Sequence, residues 1–243
     1  MSHEHPAVLV VDDEPDTCAN LSDILHDLGY AVDVAHDGTA ALELIRKRSY
    51  DVALLDLKMP GMNGLELYRR IKKLRASTVA IIVTAYASDA AASEALEAGA
   101  WRVLAKPVDF SRLLTLVEEA AEQPLVLVVD DDHDLCDAMW DLLRNQGYRV
   151  SLAHSLDEAQ VQLHDAALQV ALIDMKLPQT NGQEVFRLIR QSSPMARTIV
   201  ITGHREEMDQ QIQTIVAEGA DAVCYKPFDI KSLLHTIKGL AHY

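Results

Sequence analysis

Residues 52–64, Val52-Ala53-Leu54-Leu55-Asp56-Leu57-Lys58-Met59-Pro60-Gly61-Met62-Asn63-Gly64, decide how the chain folds. The apolar run from Val52 to Leu55 shows no polar alternation and stops at a single carboxylate, Asp56; a Pro-Gly-x-Asn-Gly turn follows. A short unbroken apolar run bounded by turn residues fits a strand buried on both faces, as in a parallel sheet covered by helices. Asp56 then stands where such a strand ends, the edge at which open α/β sheets hold their ligands. The pattern returns as Val170-Ala171-Leu172-Ile173-Asp174-Met175-Lys176-Leu177-Pro178-Gln179-Thr180-Asn181-Gly182, placing Asp174 118 residues after Asp56.

That spacing is a domain repeat. Residues 7–84 align with 125–202 without a gap, and roughly a third of the positions are identical. A period of 118 residues is far longer than a solenoid repeat, which runs about 20–50 residues, and matches an ordinary domain. Two domains, 1–123 and 124–243, are therefore expected, each large enough to bury its own core.

The net charge of −15 divides evenly, −8 over residues 1–123 and −7 over 124–243. That balance argues against a nucleic-acid partner, which requires clustered Lys and Arg. The basic groups at Arg46-Lys47-Arg48 and from Arg69 to Arg75 read as solvated helix faces. Cys18, Cys136 and Cys224 contain no C-x-x-C. The first two are repeat equivalents at apolar helix positions, as expected of buried thiols in a reducing compartment. No apolar stretch reaches the about 18 residues of a membrane helix, and Met1-Ser2-His3-Glu4-His5-Pro6 lacks the marks of a signal peptide. The expected location is cytoplasmic, with no membrane partner.

Taken in order, the first copy alternates strands and helices. Ala7 to Val11 is a strand ending in Asp12-Asp13-Glu14; Pro15 opens a helix whose Leu21, Ile24, Leu25 and Leu28 share a face up to Gly29. Ala31 to Ala35 is the second strand, and His36-Asp37-Gly38 turns into the second helix. The third strand delivers Asp56 and leads to a helix over Leu65 to Leu74. Ala80 to Val83 ends at Thr84, an Ala-rich helix runs from about Ser88 to Ala98, and Val103 to Ala105 ends at Lys106-Pro107 before a helix over 109–121. The second copy places strands near 125–129, 149–153, 169–173, 198–201 and 222–225, with helices beginning near 133, 155, 182, 205 and 229. Each unit reads as (βα)5, a five-stranded parallel sheet with helices on both faces.

Every unusual polar residue now falls at the C-terminal end of a strand. Asp12, Asp13, Asp56, Thr84 and Lys106 converge in the first copy, and Asp130, Asp131, Asp174, Thr202 and Lys226 in the second. Two like charges about 4 Å apart cost roughly 4 kcal/mol at an effective dielectric near 20. Three carboxylates therefore require a cation or protonation. The lysine offsets one charge, and the all-oxygen remainder suits Mg²⁺. Taken singly, each residue has a plainer reading. Asp12-Asp13 equally fits a helix N-cap, Thr84 a β-former, and Lys106-Pro107 a turn with a surface lysine. Their joint recurrence favours the site, while Asn63-Gly64 reads as a structural turn.

With those residues in place, both halves resemble receiver domains of two-component response regulators. The resemblance implies the flavodoxin-like strand order 2-1-3-4-5. It implies Asp56 and Asp174 as phosphoacceptors, taking a phosphoryl group from a histidine kinase or phosphotransfer protein. It maps the metal-binding acidic pair onto Asp12 and Asp13, and onto Asp130 and Asp131. The second of each pair ligates Mg²⁺ directly and the first largely through water. The backbone carbonyl of Lys58, or of Lys176, completes the set. Thr84 and Thr202 donate hydroxyls and Lys106 and Lys226 positive charge to the phosphoryl oxygens. Ala85 and Gly203 leave room beside them. The family's Lys-Pro bond is cis, which these sequences permit.

There are departures. Many receivers place Tyr or Phe three residues before the lysine; here Val103 and Val223 stand there, so no aromatic flip reports phosphorylation at that position. Tyr86 and His204, with Lys58 and Lys176, are expected at the mouth of the site, and Gln179-Thr180 replaces Gly61-Met62 in the second copy. A scaffold with one or both sites silent is the first alternative. A haloacid-dehalogenase-type phosphohydrolase wants a carboxylate where Lys58 and Lys176 stand. A dinucleotide-binding enzyme wants G-x-G-x-x-G after the first strand. With no DNA-binding, kinase or cyclase sequence after Tyr243, the expected output is contact with another protein, or a fused domain in a larger regulator or hybrid kinase.

Overall fold

A computed structural model describes residues 6–85, 89–163, 168–178, 180–203 and 209–241, with the backbone alone for Asp89 and Asp209. The chain divides into two compact units, Met1–Gln123 and Pro124–Tyr243. The first contains β1 (Ala7–Val11), α1 (Pro15–Asp27), β2 (Ala31–Ala35), α2 (Gly38–Lys47), β3 (Val52–Leu55), α3 (Gly64–Leu74), β4 (Val79–Thr84), α4 (Asp89–Glu97), β5 (Arg102–Ala105) and α5 (Phe110–Ala121). The second contains β6 (Leu125–Val129), α6 (His133–Asn145), β7 (Arg149–Ala153), α7 (Leu156–Gln162), β8 (Leu168–Asp174), α8 (Gly182–Ser192), β9 (Arg197–Thr202), α9 (Asp209–Ala217), β10 (Ala222–Tyr225) and α10 (Ile230–Ala241).

Each unit holds one five-stranded sheet, ordered β2-β1-β3-β4-β5 in the first and β7-β6-β8-β9-β10 in the second. Every pairing is parallel. This is the flavodoxin-like doubly wound order, in which the chain reverses direction beside the first strand and opens a crevice at the strands' carboxyl ends.

Alternation along a buried strand builds two cores. Ala7, Leu9 and Val11 of β1 face one way, into a cluster with Ala41, Leu42 and Ile45 of α2, Leu67, Tyr68 and Ile71 of α3, and Ala95 of α4. Val8 and Val10 face the other way, onto Cys18, Leu21 and Leu25 of α1 and Leu113, Leu116, Val117 and Ala120 of α5. Both strand faces are covered, which is why the sequence shows unbroken apolar runs. In the second unit, Leu125, Leu127 and Val129 join Ala159 of α7, Val185, Phe186 and Ile189 of α8, and Ile215 of α9. Its α6 buries Cys136, Met139, Trp140 and Leu143, and α10 buries Leu233 and Ile237.

The expected helix ends hold at Gly29 and Gly99, whose φ values of 90° and 99° lie where a side chain is costly. Four strands, β4, β5, β8 and β9, are longer than expected. β4 begins at Val79, which pairs with Val52 of β3, and β8 runs to Asp174, which pairs with Ile201 of β9. The helix start expected near 205 lies outside the described residues.

Candidate functional site

Register brings the strand ends together. Val11 pairs with both Ala35 and Leu55, and Thr84 pairs with Ala105. Asp12, Asp56 and Lys106 each follow one of these residues. The turn after Asp56 is fixed at two points. Asn63 caps α3, its side chain accepting from the Glu66 N–H at 2.8 Å. Gly64 lies against Asp56, and a Cβ there would stand 2.0 Å from the Asp56 main-chain oxygen. Asn181 and Gly182 repeat both features, and a Cβ on Gly182 would stand 2.4 Å from the Asp174 main-chain oxygen.

In the first unit the Lys106 ammonium donates to Asp12 Oδ2 at 2.6 Å and to Asp56 Oδ2 at 3.4 Å. Asp12 and Asp56 are buried, at 3% and 8% exposed, whereas Asp13 faces solvent. One oxygen from each of Asp12, Asp13 and Asp56 lies within 4.8 Å of the other two. The Lys58 N–H donates to Asp56 Oδ1 at 3.4 Å. Thr84 is buried at the end of β4, and its carbonyl accepts from the Lys106 N–H at 2.8 Å.

The second unit repeats the arrangement. Lys226 donates to Asp130 Oδ2 at 2.7 Å and to Asp174 Oδ2 at 2.8 Å. The Lys176 N–H reaches Asp174 Oδ1 at 3.1 Å, and the Thr202 carbonyl accepts from the Lys226 N–H at 2.7 Å. One oxygen each from Asp130, Asp131 and Asp174 likewise lies within 4.8 Å of the other two, with Asp131 exposed. Burial works against both ammonium groups, but the hydrogen bonds and charges of the paired aspartates outweigh it, so both lysines sit above their ordinary pKa. Both Lys-Pro bonds, Lys106-Pro107 and Lys226-Pro227, are cis.

The acidic pairs are not helix caps. Glu14 is the N-cap of α1, and Asp132 that of α6, accepting from the Leu135 N–H at 3.1 Å. Asp12 and Asp130 instead use Oδ1 to accept from the N–H two residues on, at 3.0 Å in each unit, leaving Oδ2 for the lysine. Lys58 and Lys176 are exposed, two residues after each strand-end aspartate; Tyr86 and His204 lie outside the described residues. Val103 is half-buried against the α2–α4 core, and Val223 is half-buried in β10.

Cys18 and Cys136 are buried, as expected, but their place beside the site, and that of a histidine in each unit, escaped the reading of the sequence. The main-chain oxygen of Asp12 takes Cys18 Sγ at 3.3 Å and His36 Nδ1 at 3.4 Å. That of Asp130 takes Cys136 Sγ at 3.3 Å and His154 Nδ1 at 3.0 Å. Burial, then the charge of the adjacent aspartate, pushes the Cys18 thiol up to about 11 and the Cys136 thiol up to about 12, so both stay protonated donors. The signal was present, since each Cys and each His recurs at the repeat spacing, but nothing in the sequence says what a loop histidine touches.

Comparison with known proteins bears on the whole chain. The family model for the response regulator receiver domain matches residues 8–118 and again 126–238. A response regulator receiver protein of Anaeromyxobacter sp. (strain Fw109-5) is 34% identical over 232 residues, 96% of this chain and 94% of that protein. The transcriptional regulatory protein ZraR of Klebsiella oxytoca is 42% identical over 126 residues, but these are 51% of this chain and 28% of ZraR. A receiver domain protein (CheY-like) from Methanospirillum hungatei JF-1 aligns with a TM-score of 0.48 and 34% identity, covering 49% of this chain and 95% of that one. Among the described residues no helix is long and apolar enough to cross a membrane. The two family matches, with the relative that is similar over nearly the whole chain, make this chain a member of the response regulator receiver family with two receiver domains in tandem.

Proposed function

We propose that Asp56 and Asp174 are both phosphoacceptors, charged from a histidine kinase or phosphotransfer protein in the cytoplasm. The observation that carries this reading is the convergence, in each unit, of three carboxylates and one lysine. A carboxylate oxygen of Asp56 or Asp174 forms the new P–O bond as the P–N bond of phosphohistidine breaks. The leaving imidazole takes up a proton from water, and the product is an acyl phosphate.

Receiver domains generally bind Mg²⁺, and the donor set here fits it, being all oxygen and partly open to water through Asp13 and Asp131. Asp12, Asp13 and Asp56 would hold it in the first unit and Asp130, Asp131 and Asp174 in the second, with the Lys58 and Lys176 carbonyls completing each set. Bound there, Mg²⁺ supplies the positive charge that neutralises the phosphoryl oxygens. The residues do the rest. Lys106 and Lys226 hold their aspartates by Oδ2 and bring an ammonium to the same pocket. Thr84 and Thr202 close β4 and β9, and their hydroxyls would donate to the incoming group. The lysines after the acceptors separate this site from a phosphohydrolase needing a second acid there.

Labelling with acetyl phosphate and Mg²⁺, followed by mass-spectrometric mapping, tests the proposal. Wild type should carry phosphate on Asp56 and Asp174, Asp56→Asn and Asp174→Asn should each keep only the other site, and the double variant should carry none. Chelating the metal should abolish both signals. An unlabelled wild-type chain would instead favour a silent scaffold.

A further inference from the structure

The main-chain oxygen of Asp130 is held more firmly than the end of a strand needs. A carbonyl only accepts, so at 3.0 Å the His154 ring must carry its proton on Nδ1 and donate it. The Cys136 thiol donates to the same oxygen at 3.3 Å. The Asp130 side chain accepts from the Asp132 N–H and from Lys226, and its own N–H donates to the Ala153 oxygen at 3.1 Å. Every polar atom of Asp130 is thus engaged, by groups from α6, the β7–α7 connection and the end of β10.

His154 is itself held. The ring of His133, at the first position of α6, stacks on it with centroids 3.8 Å apart and planes tilted by 33°. The first unit has the same pair of donors on Asp12, but its His36 contact is longer, at 3.4 Å, and Pro15 stands where His133 would. The histidine and the cysteine recur together at the repeat spacing.

We infer that His154, assisted by Cys136, is a positioning residue for the second site, fixing the β6 end so that the carboxylates of Asp130 and Asp131 are set towards Asp174 before any cation arrives. The inference rests on the phosphoacceptor reading above and adds to it a residue outside the acids, the threonine and the lysine. Losing a group that orients a metal ligand typically costs about 10–100-fold in metal affinity. The expected signature is therefore a weakened hold on Mg²⁺ with the chemical step left intact. The looser His36 contact predicts a smaller effect in the first unit.

The test uses the full chain carrying Asp13→Ala and Asp56→Asn, so that Mg²⁺ titrated by calorimetry reports the second site alone. His154→Leu should weaken Mg²⁺ binding about tenfold, and His154→Asn, whose amide N–H can replace the Nδ1 donor, should stay within about threefold of the parent. In acetyl phosphate labelling of Asp174, His154→Leu should raise the half-saturating Mg²⁺ concentration by the same factor and leave the rate at saturating Mg²⁺ within about twofold. A purely structural histidine would lower the saturating rate or the folded fraction instead. Leucine and asparagine variants that bind Mg²⁺ like the parent, or that are equally impaired, overturn the inference. A parent that binds no Mg²⁺ sinks the phosphoacceptor reading first, and is recognised because the loss precedes any change at His154.

Discussion

Replacing Lys106 by methionine strips the first site of the ammonium in direct contact with both buried acids. Lys106 is 18% exposed, Asp12 4% and Asp56 10% by side chain, so water screens the group poorly. At an effective dielectric near 20, the contacts at 2.6 and 3.4 Å correspond to gross attractions of about 6 and 5 kcal/mol. Most of that is offset by the desolvation of three charges. Breaking a buried pair nonetheless costs about 3–5 kcal/mol, because the stranded carboxylates keep their desolvation cost. The opening at Asp13 favours the lower figure, about 3 kcal/mol. Charge leaves a second mark. The acid oxygens lie within 4.8 Å of one another, so each pair repels by about 3.5 kcal/mol or more at that dielectric once the lysine is gone. Asp12→Asn added to Lys106→Met should therefore restore about 1–2 kcal/mol instead of costing more. Each unit contains one of the two tryptophans, Trp101 and Trp140. Urea unfolding followed by fluorescence in a Trp140→Phe background reads the first unit alone. A loss below about 1 kcal/mol for Lys106→Met, or a further loss on adding Asp12→Asn, would refute the charge argument.

Gly64→Ala and Gly182→Ala should each destabilise the affected unit by about 3 kcal/mol, since backbone oxygens stand 2.0 and 2.4 Å from the added methyl; phosphate labelling of the adjacent aspartate should fall with stability, and a neutral result would mean the turn yields freely. Tyr50→Phe removes a 2.7 Å hydrogen bond to Asp33 and should cost about 1 kcal/mol at pH 8. Burial, then the bond to Asp33, raises the Tyr50 phenol above its ordinary pKa. The stability this gives is complete below the unfolded value near 10 and is lost as pH rises through the folded one. Wild type should therefore lose more stability than Tyr50→Phe between pH 8 and 11 in urea titrations. Asp221→Ala should cost the second unit about 3 kcal/mol, read by Trp140 fluorescence in a Trp101→Phe background; it removes an acceptor for the Thr198 N–H at 2.8 Å and the partner of Arg197 at 3.0 Å and Arg190 at 3.3 Å.

Much of the site could be read from one dimension because a parallel sheet converts sequence order into position. Once Val52–Leu55 and Val170–Ile173 are buried strands, Asp56 and Asp174 must emerge at the edge where Asp12, Thr84 and Lys106, or Asp130, Thr202 and Lys226, also emerge. The strand limits were less legible. Val79 and Asp174 belong to strands because Val52 and Ile201 pair with them, and pairing is a property of the neighbour.

What the sequence determined by itself was the repeat, the alternation of strands and helices and the identity of the converging residues, since these follow from local periodicity and from where polar residues interrupt apolar runs. Only tertiary structure decided that Asp12 is buried while Asp13 is exposed, which carboxylate oxygen each lysine takes, and that Gly64 must lie bare against the Asp56 carbonyl. The same holds for His154 and Cys136 meeting on one oxygen of Asp130. Such contacts join different elements over distances of a few ångströms, and only the close approach of helix, loop and strand end in the folded unit sets them.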